Sequence, residues 1–117
     1  MLKKILVVDI LKSWLKQWKE DFEGKMNFFS APSFEEAERI LVAHPDMAII
    51  ATVPRLNSDL VNARSFVAKV KKTFQGPMIL ISNHEVDYRL VGEVYTNGCK
   101  RCDLVETVLG IIHKEDG

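Results

Sequence analysis

The chain has 117 residues, of which 47% are hydrophobic and 27% charged, a composition typical of one soluble globular domain spanning residues 1–117. Its 16 basic and 16 acidic side chains cancel, which argues against a nucleic-acid-binding module because such modules usually carry a clear basic excess. The apolar run near the N-terminus, residues 5–8, is too short for a signal peptide or a membrane span, so no membrane association is expected.

The first part of the chain alternates between buried-strand and helical patterns. The run KILVV at residues 4–8 predicts a strand covered on both faces, as in a parallel sheet. A helix follows, and Gly24 stands where a helix C-terminus favours glycine. Its apolar stripe consists of Leu11, Trp14, Leu15, Trp18 and Phe22. Residues 26–31 predict a second strand, and Ser33 with Glu36 forms a capping box that opens the second helix.

The second part of the chain repeats this alternation. Residues 47–53 and 78–82 predict two further buried strands, with a helix between them that begins near Ser58 or Asp59. The last predicted elements are a helix at 86–95, a short edge strand at 99–102 and a helix at 104–114. Together these units predict an α/β domain with a doubly wound, five-stranded parallel sheet in the order 2-1-3-4-5 and helices on both faces.

In such a sheet, the functional site lies beyond the carboxyl ends of the strands, where the strand order reverses. With the predicted order, strands one, three and four are neighbours, and we expect their ends to converge on one small concavity. The residues at these ends are Asp9, Ile10, Ala51, Thr52, Ser82 and Asn83.

The motifs that border this concavity resemble those of the receiver domain of bacterial response regulators. KKILVVD is similar to the family's first strand, which ends in paired acids, and HPDMAIIATVP is similar to the strand that carries the phosphoacceptor aspartate. GPMILIS is similar to strand four, and NGCKRC to the glycine-alanine step into strand five. The resemblance covers essentially the whole chain and implies a flavodoxin-like fold with a role in two-component or phosphorelay signalling.

The residues that the resemblance assigns to phosphoryl chemistry are mostly replaced. Ala51 stands at the phosphoacceptor position, and a methyl group cannot act as the nucleophile. Asp9 is the first of the paired acids, but Ile10 replaces the second and offers Mg²⁺ no oxygen ligand. Ungapped counting from Gly98 places Val105 at the position of the family's lysine; alternatively, that loop is deleted and the last helix begins early. Ser82 matches the hydroxyl at the end of the family's strand four.

These replacements imply a pseudo-receiver without a phosphoacceptor aspartate, a metal, a cofactor or enzymatic activity. We expect it to act by binding a protein partner of a signalling system, and we expect Mg²⁺ not to raise its stability. Two alternatives stay open: phosphorylation at another residue such as Asp9, and binding of a small ligand in the altered pocket. The printed chain ends soon after the last predicted helix, with no output domain in it.

The resemblance also implies a surface for that partner. Receiver domains of this kind commonly associate through the face of the fourth helix, fifth strand and fifth helix, and a homodimer is one form that the contact could take. In this chain the face would include Arg89, Glu93, Tyr95, Lys100 and Arg101. Mixed charges with one aromatic residue suit a modest polar contact and equally a solvated surface.

The two cysteines have the spacing of a redox or zinc pair. In a strand, however, residues three apart point to opposite faces, and no second cysteine pair completes a zinc site. We therefore expect Cys99 to be a packing residue. Because a chain with two cysteines and no secretion signal is typical of a reducing compartment, we expect a cytoplasmic location.

Overall fold

The computed structural model of the chain describes residues 2–54, 62–83 and 95–116. Five strands lie within these ranges: β1 (Lys4–Val8), β2 (Asn27–Ala31), β3 (Met47–Thr52), β4 (Met78–Ile81) and β5 (Asn97–Cys99). The helices of the described residues are α1 (Lys12–Phe22), α2 (Phe34–Ala43), α3 (Asn62–Val70) and α4 (Leu104–Asp116). A 3-10 turn, Arg101–Asp103, joins β5 to α4. None of these helices is long and apolar enough to cross a membrane.

The sheet has the strand order β2-β1-β3-β4-β5, and all of its pairings are parallel. The predicted α/β fold and its strand order are therefore confirmed. The four residues from Ile5 to Val8 are fully buried, and successive side chains of a strand point to opposite faces of the sheet. Both faces of the central strand are consequently covered by helices, with α1 beside α4 and α2 beside α3.

Four of the five residues of the apolar stripe predicted for the first helix pack α1 against the core, whereas Leu11 precedes the helix and is exposed. Trp18 and Phe22 are buried, and Trp14 and Leu15 are partly buried against the same core. The rings of Trp14 and Trp18 stack with their centroids 5.6 Å apart. Gly24 then adopts a φ of 77°, a left-handed conformation that glycine enters without steric cost, so that the chain reverses towards β2.

The predicted cap of the second helix is also present. The Oγ of Ser33 accepts a hydrogen bond from the backbone N–H of Glu36 at 3.1 Å, which satisfies one of the donors that a helix start leaves unpaired. Ala37 is fully buried, while Phe34, Ile40 and Leu41 pack against the core from the same helix. The second helix thus packs against the sheet through these four apolar residues.

The predicted position of the fifth strand, residues 99–102, is wrong. The observed strand is Asn97–Cys99, and the residues after Lys100 turn into the 3-10 segment. The strand is placed by its register with β4, in which Leu80 lies opposite Gly98. The N–H of Met78 donates to the hydroxyl oxygen of Thr96 at 2.7 Å, and the N–H of Thr96 donates to the carbonyl of Met78 at 2.8 Å. Three residues are too few for side-chain periodicity to reveal such a strand.

Two predictions fall on residues that the structure does not describe. One is the start of the third helix near Ser58 or Asp59; the described part of α3 begins at Asn62. The other is the helix expected at 86–95, of which only Tyr95 is described.

Candidate functional site

The carboxyl ends of β1, β3 and β4 lie side by side, as the strand order requires. Val8 is in register with Thr52 of β3, and Thr52 is in register with Leu80 of β4. The pairing continues past the strand ends, because the N–H of Val53 donates to the carbonyl of Val8 at 3.1 Å. The N–H of Asp9 donates in the same way to the carbonyl of Ala31 on β2, at 3.1 Å.

The side chain of Asp9 is the chemical centre of this edge. Its carboxylate is fully buried and accepts hydrogen bonds on both oxygens. The Nε of Arg101 donates to Oδ2 at 2.9 Å, and Nη2 donates to Oδ1 at 3.3 Å. The backbone N–H groups of Ile10 and Leu11 donate to Oδ1 at 2.7 and 3.3 Å. Two loops, after β1 and after β5, are therefore joined through one carboxylate.

The guanidinium of Arg101 supplies the positive charge that a buried carboxylate requires. Its planar fork of donors matches the two oxygens of a carboxylate, and its side chain is 22% exposed beside the fully buried Asp9. Removing one partner of such a pair leaves a buried charge without compensation, at a cost of about 3 kcal/mol. Among the described residues, every buried side-chain nitrogen and oxygen has a hydrogen-bond partner.

Three other residues predicted at the strand ends, Ala51, Thr52 and Ser82, are buried. Ala51 is fully buried within β3, between Val7 and Ile79 of the neighbouring strands. The hydroxyl of Thr52 donates to the carbonyl of Val53 at 2.9 Å. Ser82 is buried, and its N–H donates to the carbonyl of Cys99 at 3.0 Å.

Ile10 directly follows Asp9 at the end of β1, and Val105 lies in the first turn of α4. The Ile10 side chain is 37% exposed and therefore does not form an enclosed apolar lining. Val105, matched by counting to the family's lysine, packs against the core from α4. The cation that reaches the site is instead Arg101, which sequence reasoning missed. Its one signal was its place near the carboxyl end of the fifth strand, which shares an edge of the sheet with Asp9.

The residues at this edge do not fit the Mg²⁺ ion that the resemblance implies for the family. Mg²⁺ binds through carboxylate and other oxygen ligands. Asp9 is already paired with Arg101, while Ile10 and Ala51 have hydrocarbon side chains. In the described parts of the chain, no group of three His, Cys, Asp or Glu side chains is placed to hold a metal ion.

The candidate interaction face needs two corrections. Tyr95 is only 2% exposed, so its ring belongs to the core and is not available for contact with a partner. Arg101 is directed to Asp9. Lys100 is exposed, as expected for a surface residue. Arg89 and Glu93 lie outside the described residues.

The two cysteines occupy different environments and are both free thiols. Cys99 ends β5 and is buried, whereas Cys102 lies in the 3-10 turn and is exposed, so the two do not share a strand as predicted. Burial raises the pKa of the Cys99 thiol to about 11, which makes it a poor nucleophile at neutral pH. Packing is the role that this environment supports for Cys99.

The strand order, the parallel pairing and the convergence of strand ends define the flavodoxin-like fold of receiver domains, and solved structures similar to this chain are receiver domains. A response regulator receiver domain from Clostridium thermocellum has a TM-score of 0.78 at 18% identity, covering 98% of each chain. A response regulator receiver protein from Pseudoalteromonas atlantica has a TM-score of 0.77 at 16% identity, covering 96% of this chain and 98% of that one.

A third similar structure is the complex of the phosphorylated P1 domain of CheA3 with CheY6 from R. sphaeroides. It matches with a TM-score of 0.70 at 12% identity, covering 95% of this chain and 97% of that one. No protein-family model matches the chain, and no curated protein shows significant similarity to it. At these identities the similarity establishes the receiver fold.

Proposed function

We propose that the chain is a receiver-like module of a two-component or phosphorelay type signalling system that acts by binding a protein partner, without phosphoryl transfer at the usual site. The observation that carries the proposal is the Asp9–Arg101 pair. The guanidinium engages both carboxylate oxygens, and the neighbouring strand ends in the hydrocarbon side chain of Ala51 followed by Thr52.

The chemistry of phosphoryl transfer supports this proposal. The nucleophile must be an oxygen that can reach the phosphorus atom of the donor. Ala51 has no such atom, and the carboxylate of Asp9 is fully buried under Arg101 and two backbone N–H groups. Phosphorylation of Asp9 would require this whole arrangement to open. The chain is accordingly proposed to act by binding and not by catalysis.

The class of partner is proposed from the fold. One similar structure is a complex between a phosphorylated P1 domain and CheY6, which supports a protein component of a signalling system as the partner here. The cytoplasm is part of the proposal, since Cys99 and Cys102 are free thiols that persist in a reducing compartment.

Treatment with acetyl phosphate and Mg²⁺, followed by intact-mass measurement, tests the proposal. We expect the mass of the wild-type chain to stay unchanged, while a receiver domain with an aspartate in its third strand, treated in parallel, gains a phosphoryl group. The variant Asp9→Asn is measured beside the wild type. A stoichiometric adduct on the wild type would overturn the proposal, and its loss in Asp9→Asn would place the phosphoryl group on Asp9.

A further inference from the structure

We infer that Asp9 and Arg101 form a local conformational switch: their ion pair holds the turn at residues 100–103 against the end of β1, and its opening releases this turn while the sheet stays folded. The structure shows the closed form, in which the guanidinium engages both carboxylate oxygens. In the open form the turn moves away and uncovers Cys99, the buried residue that directly precedes it.

The turn has few other contacts that hold it in place. Lys100, Cys102 and Asp103 are exposed, and Arg101 is only partly buried. Among the described residues, the hydrogen bonds from this turn to a part of the chain distant in sequence are the two from Arg101 to Asp9. The N–H of Asp103 donates to the carbonyl of Lys100 at 3.0 Å, which closes the turn on itself. The position of the turn therefore depends chiefly on one ion pair.

Both ends of the turn are anchored in the core. Cys99 is the buried last residue of β5, and Leu104, which is fully buried, begins α4. The residues between them can move without taking a buried apolar side chain out of the core. Because segments with few buried apolar contacts open at a lower free energy than the whole chain unfolds, we expect this turn to open on its own.

The hydrogen bonds of Asp9 make an open form possible. The N–H groups of Ile10 and Leu11 donate to Oδ1 from the loop after β1, so these two bonds remain when the turn moves away. Water then reaches both the carboxylate and the guanidinium. The open form therefore leaves neither charge buried without a partner, which is the arrangement that costs a folded protein most.

The thiol of Cys99 can report on the position of the turn. Its side chain is buried at the base of the turn. Burial is the main cause of its raised pKa, and the neighbouring Asp103 and Cys102 of the turn raise this pKa further. The turn therefore lies beside the thiol, and its movement away from the sheet should admit water and a thiol reagent to the Sγ of Cys99.

The switch connects a buried carboxylate to the protein surface. Lys100, Cys102 and Asp103 change position when Asp9 loses Arg101, so a partner that contacts these exposed residues would distinguish the two forms. Any change that removes the charge of Asp9 shifts the population towards the open form. This switch goes beyond the proposed function and does not depend on it, because thiol labelling detects the opening of the turn and intact mass after acetyl phosphate treatment detects phosphorylation.

The rate at which iodoacetamide labels Cys99 at pH 8, followed by mass spectrometry, tests the switch. Every chain carries Cys102→Ser, so that Cys99 is the one thiol. Asp9→Asn and Arg101→Gln should each raise the rate about tenfold or more over this parent, because both remove the ion pair. Asp46→Asn is the matched control, since it breaks the exposed pair with Lys4 at 2.9 Å, and should be labelled like the parent. Rates in Asp9→Asn and Arg101→Gln that stay close to the parent's would overturn the inference.

Labelling in low concentrations of urea separates local opening from unfolding of the whole chain, which a less stable variant undergoes more often. Opening of the turn exposes little surface, so below the unfolding transition the labelling rate of Asp9→Asn and Arg101→Gln should hardly change with urea. Global unfolding, measured on the same variants by circular dichroism, depends steeply on urea. A labelling rate that rises as steeply as global unfolding would overturn the inference, because Cys99 would then be reached only in the unfolded chain.

Discussion

Asp9 and Arg101 show, at the scale of single residues, how a guanidinium and backbone N–H groups stabilise a buried carboxylate. The carboxylate receives two hydrogen bonds from the guanidinium and two from the backbone, with donor–acceptor distances of 2.7 to 3.3 Å. Sequence reasoning placed Asp9 correctly at the carboxyl edge of the sheet. It could not pair Asp9 with Arg101, because 92 positions separate them and no local pattern links them.

A double-mutant cycle measures the strength of this pair. We expect Arg101→Gln to lower the free energy of unfolding by about 3 kcal/mol, because it leaves a buried carboxylate without its cation. Asp9→Asn combined with Arg101→Gln should cost less than the two single changes added together. Lys69→Gln, at the exposed ion pair with Glu38, is the control and should cost less than about 1 kcal/mol. Strictly additive effects at Asp9 and Arg101 would contradict the pairing.

The two thiols are expected to differ in reactivity. Because burial raises the pKa of Cys99 to about 11 from the ordinary value of 9.0, a thiol reagent at pH 8 should label Cys102 and leave Cys99 unmodified in the folded chain. The same shift makes Cys99 contribute stability that is fully present below pH 9 and is lost as the pH rises towards 11. Equal labelling rates, measured by mass spectrometry, would exclude this environment for Cys99.

At the scale of elements, the sequence predicted best where local chemistry fixes the boundary. The hydroxyl of Ser33 caps α2, and Gly24 adopts a positive φ in the turn after α1. The sequence predicted both the cap and the glycine. The fifth strand was misplaced because its position depends on hydrogen bonds to β4. Pairing between distant segments of the chain does not produce a recognisable hydrophobic pattern in a strand of three residues.

Two glycines allow a matched test of how the elements pack. A Cβ on Gly76 would lie 2.6 Å from Cζ of Phe74 and 2.7 Å from the carbonyl oxygen of Ala48, whereas a Cβ on Gly110 of α4 would meet no atom within 4 Å. We expect Gly76→Ala to destabilise the chain by about 1–3 kcal/mol through overpacking. Gly110→Ala should stabilise it by about 0.5–1 kcal/mol, because alanine favours a helix interior. Chemical denaturation measures both, and equal effects would contradict the close approach at Gly76.

At the scale of the whole molecule, the fold was predictable because strand-like segments, three of them continuous apolar runs, alternate with amphipathic segments and leave few topologies to consider. The strand order then brought Asp9, Ala51 and Ser82 to one edge of the sheet, as expected. The side chain that completes the site, Arg101, was instead assigned to a binding surface. Tyr95 was assigned there too, because the resemblance fixes a residue's place along the chain but not its burial or its side-chain direction.

The melting temperature of the wild-type chain in millimolar Mg²⁺, compared with that in EDTA, tests most directly whether Arg101 has taken the place of a metal at Asp9. Since the guanidinium already compensates the carboxylate, and Ile10 and Ala51 offer no ligand, we expect the two temperatures to agree within error. A rise of several degrees in Mg²⁺ would mean that the ion displaces Arg101 and binds Asp9, which would contradict the proposal of a receiver that works without phosphoryl chemistry.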